Sequence, residues 1–158
     1  MKSIFNILNK KIAGVKNKLL NIPAHPHQVA MGYALGIFLA ASPLIGLKVF
    51  IAIGLTLLFK WSKVASLIGV FHINILTGPP FYGLSFLVGK SVLGSDVSFD
   101  LSGPLSLNTM IEILTTNSLV FIILLAGGIV IGLPLAAAAY YFSKSLIRRK
   151  SLVKSTAL

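Results

Sequence analysis

Apolar positions follow distinct patterns along the chain. Residues 2–20 place isoleucine, leucine and valine at helical spacing, in one stripe beside a basic face. Residues 28–59 and 64–93 are almost continuously apolar, and residues 118–142 form a third such block without a charged residue. This order predicts an amphipathic helix followed by helical blocks that are apolar all round, as helices in lipid are.

The amphipathic helix of residues 2–20 has two interpretations. Its apolar stripe and basic face suit the headgroup region of an anionic membrane leaflet. The same stripe also suits packing against the cytoplasmic face of the protein itself. Pro23 and Pro26 end the helix, because proline disfavours helical backbone in the residue before it.

The first long block, residues 28–59, exceeds a simple membrane span. As one straight helix it would be about 48 Å long, whereas the hydrocarbon core of a membrane is about 30 Å thick. Pro43 removes a backbone donor near its centre, and Gly46 permits a sharp bend. We therefore expect residues 42–46 to be non-helical at membrane depth, within a hairpin that enters and returns on one side.

The second long block, residues 64–93, repeats this design. Pro80 and Gly83 have the P-x-x-G spacing of the first break, which indicates a degenerate internal repeat. We expect residues 78–83 to be non-helical as well, and the block to cross the membrane as a broken helix. Residues 118–142 would then cross back as the clearest transmembrane helix.

The charged residues are few and unevenly distributed. Lys and Arg number 14 against 3 Asp and Glu, and 11% of residues are charged, whereas a soluble domain has about 25%. Five basic residues lie within residues 2–18 and five within 144–154, but residues 94–108 have none. Because basic segments stay on the cytoplasmic side, we expect both termini there. The same distribution argues against a nucleic-acid partner.

These patterns predict an all-α integral membrane protein, multi-pass in a bacterial inner membrane. Its predicted segments are an amphipathic interfacial helix (1–22), a membrane domain with two Pro/Gly-broken, re-entrant or kinked blocks (26–94), a polar external loop (95–108), a C-terminal transmembrane helix (109–143) and a basic, mobile cytoplasmic tail (144–158). Two glycine pairs, Gly32-x-x-x-Gly36 and Gly128-x-x-x-Gly132, favour packing within the chain over dimerisation. The breaks nevertheless need cover in lipid, so we expect a homo-oligomer or a membrane partner protein.

Candidate ligand-binding residues gather at the two breaks. They are Pro43, Gly46 and Lys48 at the first break, and His72, Asn74, Thr77, Pro80 and Tyr82 around the second. A broken helix frees backbone amides and carbonyls, which neighbouring side chains satisfy or which bind a ligand. A lysine at the bilayer centre costs roughly 2.5–3.5 kcal/mol, unless its long stem reaches the headgroups.

Helix N-termini after Pro43 and Pro80, with Lys48 close by, favour an anion such as a lipid phosphate. We therefore expect a small transporter or lipid-handling protein that contacts the bilayer and its anionic lipids. The alternative is a non-transporting scaffold that anchors a cell-envelope biosynthesis enzyme. Catalysis, metal ions and other cofactors are not expected, because the three acids lie in the outer segment, cysteine is absent, and His25 and His27 have no third ligand nearby.

Residues 26–89 also carry a motif of small and polar residues at fixed spacing. It reads Pro26-x-x-x-Ala30-x-Gly32-x-Ala34-x-Gly36, then Pro43-x-x-Gly46, then Asn74-x-x-Thr77-x-x-Pro80-x-Tyr82, and Gly89. It resembles an uncharacterised bacterial membrane family, the domain of unknown function numbered two thousand and sixty-two. The resemblance implies a small integral membrane protein whose relatives can be joined to envelope glycosyltransferase-type domains. Ser62, Ile75 and Lys48 stand at or near positions where the family usually has asparagine, proline and glutamine.

Overall fold

The computed structural model describes residues 14–44, 46–72, 78–95 and 118–156, and within these ranges all regular structure is helical. The all-α class is therefore confirmed. The helices are α1 (described over 14–20), α2 (Pro26–Ala40), α3 (Leu47–Leu58), α4 (Lys63–Val70), α5 (Gly78–Leu93) and α6 (Ser118–Thr156). Residues 96–108 of the predicted external loop lie outside the described residues.

The described part of α1 packs on the rest of the bundle. Leu19 is 3% exposed and forms a cluster with Val29, Tyr33 and Ala65. Val15, one helical turn earlier, covers the edge of the same cluster. The second interpretation of the amphipathic helix, packing against the protein itself, therefore holds for residues 14–20.

Helices α2 and α3 form a hairpin. Pro26 suits the first position of α2 because its missing N–H has no intrahelical partner there. After Ala40 the chain leaves the helix, and residues 41–44 and 46 are non-helical, as predicted. Following α3, the amide of Ser62 donates to the carbonyl of Gln28 (3.1 Å). The chain thus returns to the end at which α2 begins.

The second break lies earlier than predicted. Residues 78–83 were expected to be non-helical, but they form the first turns of α5. That prediction was wrong because the first turn of a helix tolerates proline, whose missing donor would be unpaired there anyway. Helix α4 instead ends at Val70, and Phe71 and His72 form a turn.

Helix α6 runs antiparallel to both α2 and α5. His27 at the start of α2 contacts Tyr140, whereas Ala41 at its end packs on Gly128. The predicted span began at residue 118, as α6 does, but the helix extends beyond residue 142 to Thr156. The predicted tail is thus helical over residues 144–156. Their helical backbone bonds extend the α6 ladder by more than three turns.

Glycines bring the helices into backbone contact, as predicted for packing within the chain. A Cβ added to Gly36 would come within 2.8 Å of the Cα of Gly69 on α4. One added to Gly128 would come within 2.6 Å of the carbonyl oxygen of Ala41. Gly32 also lies against backbone, at Ser62, whereas Gly132 meets the side chains of Ala41 and Phe38. Three of the four paired glycines therefore allow close approach of two backbones.

Much of the helical surface is apolar and uncovered. Among the described residues, nineteen large hydrophobic side chains are exposed, and Phe50 on α3 reaches 73%. Helix α3 buries only Ala52 and Thr56. One described helix, α6, is long and apolar enough over Ser118–Arg148 to cross a membrane, and 33% of its most apolar window is buried.

Candidate functional site

The hairpin tip, defined as residues 42–48, contains three of the predicted site residues. Pro43 is buried, and Gly46 adopts φ +80°, a conformation that side chains other than glycine disfavour. Gly46 is the N-cap residue of α3, and Lys48 lies in the first turn with its amide donating to the carbonyl of Leu44 (3.0 Å). The Lys48 side chain is half-buried. Lys48 is thus a basic residue in the first turn of α3, where the helix dipole contributes partial positive charge.

Two consecutive glycines of α6 contact different segments, and one of them lies at the base of the hairpin tip. Gly128 faces the carbonyl of Ala41, while Gly127 faces the carbonyl of Ser85 on α5. Ser42, the first tip residue, is buried, and its hydroxyl donates to the carbonyl of Leu39 (2.8 Å). Three chain segments therefore converge where α2 ends.

This convergence includes two residues that were not among the predicted site residues, although Gly89 belongs to the motif of residues 26–89. Ser85 and Gly89 are small residues four positions apart on α5, and Gly89 also lies against α6. A search for small-x-x-x-small spacing, rather than for glycine pairs alone, would have found them. The hydroxyl of Ser85 is fully buried and makes no hydrogen bond.

The residues predicted around the second break do not all join the tip. Tyr82 is 6% exposed and lies one turn before Ser85 on the packed face of α5. Pro80 is in the first turn of the same helix. His72 is exposed and meets the ring of Tyr33 edge-on, with centroids 6.0 Å apart. Two further site residues, Asn74 and Thr77, lie outside the described residues.

A polar network joins α2 to α6 at the opposite end of the hairpin. The Lys144 ammonium donates to the Tyr140 hydroxyl oxygen (2.8 Å). The Tyr140 hydroxyl is also hydrogen-bonded to Nδ1 of His27 (3.0 Å). We call this end of the bundle, where His27, Ser62 and Tyr140 lie, the basic end. Its basic side chains are Lys16, Lys18, Lys60, Lys63, Lys144 and Arg148.

A groove of about 520 Å³ lies between α1 and α4. Apolar side chains form most of its wall: Val15, Val64, Leu67, Ile68 and Phe71. Its polar lining comes from Lys18 and His72. His72, predicted as part of a site at the break, therefore lines this groove.

The described residues offer no evident metal site, since no three of their His, Cys, Asp or Glu side chains come together. All three acids of the chain, Asp96, Asp100 and Glu112, lie outside the described residues. Every permanent charge on the described side chains is therefore positive. Such a surface favours anionic ligands.

Over the described residues, fold and site define an all-helical protein with one long apolar helix and a helical hairpin. The chain belongs to the family described as "Uncharacterized protein conserved in bacteria (DUF2062)", which matches residues 10–154. The resemblance drawn from the motif of residues 26–89 is thus confirmed. No curated protein and no solved structure matches the chain.

Proposed function

We propose that the protein is a multi-pass protein of the bacterial inner membrane that binds and handles anionic lipids. The observation that carries the membrane assignment is the apolar surface, with nineteen large hydrophobic side chains exposed among the described residues. Soluble monomers rarely expose a contiguous apolar surface of this kind. In a bilayer, lipid tails would cover it.

The proposed topology follows from the order of the helices. Helices α2 and α3 would enter from the basic end and return to it, supported by the bond between Ser62 and Gln28. Helices α4 and α5 would together cross the membrane, and α6 would cross back. Aromatic residues near the basic end support an interface there, including the stack of Phe59 on Trp61 (4.8 Å). The basic end would be cytoplasmic.

The anion contact is proposed at Lys48. Its ammonium and the N-terminus of α3 add positive charge at one place, so a phosphate there would interact with both. Basic residues in the first turn of a helix are unfavourable without an anion, because the helix dipole opposes them. A lipid phosphate would supply the missing negative charge. We propose that the protein binds and moves such lipids rather than modifying them chemically.

Substitution of Lys48 tests this function. We expect Lys48→Leu to keep yield and thermal midpoint but to weaken binding of a phosphate-bearing lipid about tenfold, since one charge-assisted contact is lost. Lys48→Gln should be milder because it keeps a hydrogen-bond donor. The matched control is Lys90→Leu, which removes the lysine near the end of α5. Binding to vesicles with and without anionic lipid is the measurement, and unchanged binding by Lys48→Leu would reject the anion site.

The second candidate function is a scaffold for a cell-envelope enzyme, alone or as a homo-oligomer. The observation that favours it is the basic end, where Lys16, Lys60, Lys63 and Arg148 combine basic groups from four segments on one surface. A scaffold needs only this surface and tightly packed helices, such as α5 and α6 at Gly127. If the protein is a scaffold, charge reversal at these residues should abolish partner binding, whereas Lys48→Leu should have no effect on it. This pair of results would favour the scaffold.

A further inference from the structure

The groove between α1 and α4 borders the cluster that holds α1 on the bundle, and it shares Val15 and Ile68 with that cluster. Its volume of about 520 Å³ is within the range of sites that hold small molecules. The wall on α4 has the helical spacing of Val64, Leu67, Ile68 and Phe71, whereas Ala65, Ser66, Gly69 and Val70 on the other side of this helix are buried. Helix α4 thus packs against the bundle on one face, and its other face lines the groove.

The two ends of the groove differ in position and chemistry. Leu19, next to Lys18, packs on Ala65 in the first turn of α4, so Lys18 lies near the basic end. At the other end of α4, Val70 packs with Ala52 of α3, on the side of the hairpin tip. The groove therefore follows α4 for about 12 Å, from a cationic end towards the interior of the bundle.

We propose that this groove binds one acyl chain of an anionic phospholipid, with the lipid phosphate on Lys18. The apolar wall matches an alkyl chain, and the lysine at the basic end matches the charge of the headgroup. Lys63, exposed at the start of α4, adds a second positive charge beside Val64. The direction also fits a bilayer, because the headgroup stays at the basic end while the chain points inward.

This inference rests on the proposed membrane location but not on Lys48. The groove lies on the outer face of α4, and Lys48 belongs to the hairpin tip. A lipid in the groove would enter from the cytoplasmic leaflet, so the groove selects lipids at the surface, whereas Lys48 acts at depth. The two sites can therefore fail or succeed separately.

The test uses the full chain in vesicles that contain traces of a phospholipid with a photoreactive acyl chain. One probe has an anionic phosphoglycerol headgroup, the other a zwitterionic phosphocholine headgroup. Cross-links are mapped by peptide mass spectrometry to α4 and to the exposed faces of α5 and α6, which report ordinary surrounding lipid. We expect α4 to favour the anionic probe over the zwitterionic one by about fivefold relative to α5 and α6.

Two matched pairs of variants assign this preference to the groove. Lys18→Glu should abolish the headgroup preference, whereas Lys16→Glu, an exposed residue of the same helix outside the groove, should retain it. Leu67→Trp should fill the groove and reduce cross-linking of α4 by both probes. Its control is Leu87→Trp, which places the same ring on the exposed face of α5. Val64→Phe repeats the filling at a more exposed wall position if Leu67→Trp lowers the thermal midpoint.

Equal labelling of α4, α5 and α6 by both probes would overturn the proposal, because only surrounding lipid would then be present. Loss of α4 labelling on self-association would overturn it too, since a second copy would then occupy the groove. The Lys48→Leu protein separates this inference from the proposed function. Retained α4 labelling in that variant supports a groove site that is independent of the tip. Loss of α4 labelling would contradict this inference, because groove and tip would then form a single site.

Discussion

Tyr140 and Tyr141 are adjacent residues of the same type in opposite surroundings. Tyr140 joins Lys144 and His27, whereas Tyr141 is 70% exposed. We expect Tyr140→Phe to lower the free energy of unfolding by about 1 kcal/mol, since it removes both hydrogen bonds. Tyr141→Phe should change it by less than about 0.5 kcal/mol. Denaturant titration in one detergent compares them, and equal effects would contradict the network.

Gly127 provides a sharper test at the residue scale. A Cβ there would meet the carbonyl of Ser85, which cannot move without shifting α5. We expect Gly127→Ala to destabilise the protein by about 1–3 kcal/mol, or more if the helices separate. Gly54→Ala is the matched control, because no atom lies within 4 Å of its added Cβ. That variant should be neutral or stabilising by up to about 1 kcal/mol, and thermal midpoints decide between these results.

The sequence could predict which candidate residues lie together only where those residues are close neighbours in the chain. Pro43, Gly46 and Lys48 are neighbours in the chain, so their meeting at the hairpin tip needed only the break itself. His72 required knowledge of how α1 and α4 pack, because it lines the groove beside Lys18. Ser85 and Gly127 come together only through the register of α5 on α6, which no local pattern specifies.

At the scale of elements, the two prolines have opposite effects for one physical reason. Pro43 follows the end of α2, where a continued helix would need the donor that proline lacks. Pro80 lies in the first turn of α5, where no donor is needed. The P-x-x-G spacing could not distinguish a helix end from a helix start. The lengths of α2 and α3, the two halves of the first apolar block, could be predicted from the sequence. The position of the break in the second apolar block could not.

The return of the hairpin can be tested with a pair of cysteines in this cysteine-free chain. The backbone bond between Ser62 and Gln28 brings these residues within reach of a disulfide. We expect Gln28→Cys with Ser62→Cys to cross-link on mild oxidation within one chain. Gln28→Cys with Lys90→Cys should not, since α5 packs along the half of α6 that contains Ile123 and Gly127, away from Tyr140. Gel mobility with and without reductant gives the result, and failure of the first pair would contradict the return of the hairpin.

At the scale of the whole molecule, charge and packing support the same orientation. The sequence places basic residues at both ends of the chain, and α1 and the late part of α6 pack into one cluster through Leu19 and Ile147. The sequence predicts from its distribution of lysine and arginine that both ends are cytoplasmic, and this stays a prediction. It could not predict that α6 stays helical to Thr156, because a basic segment without an apolar face has no local signal for its partner.

The most direct test of the whole account is the accessibility of single cysteines in intact cells. Ser3→Cys, Ser62→Cys and Ser155→Cys should resist an impermeant thiol reagent until the membrane is permeabilised. Ser95→Cys, which follows α5, should react from outside in intact cells. Reaction of Ser62→Cys from outside would contradict the account, because the first block would then cross the membrane instead of returning to the basic end.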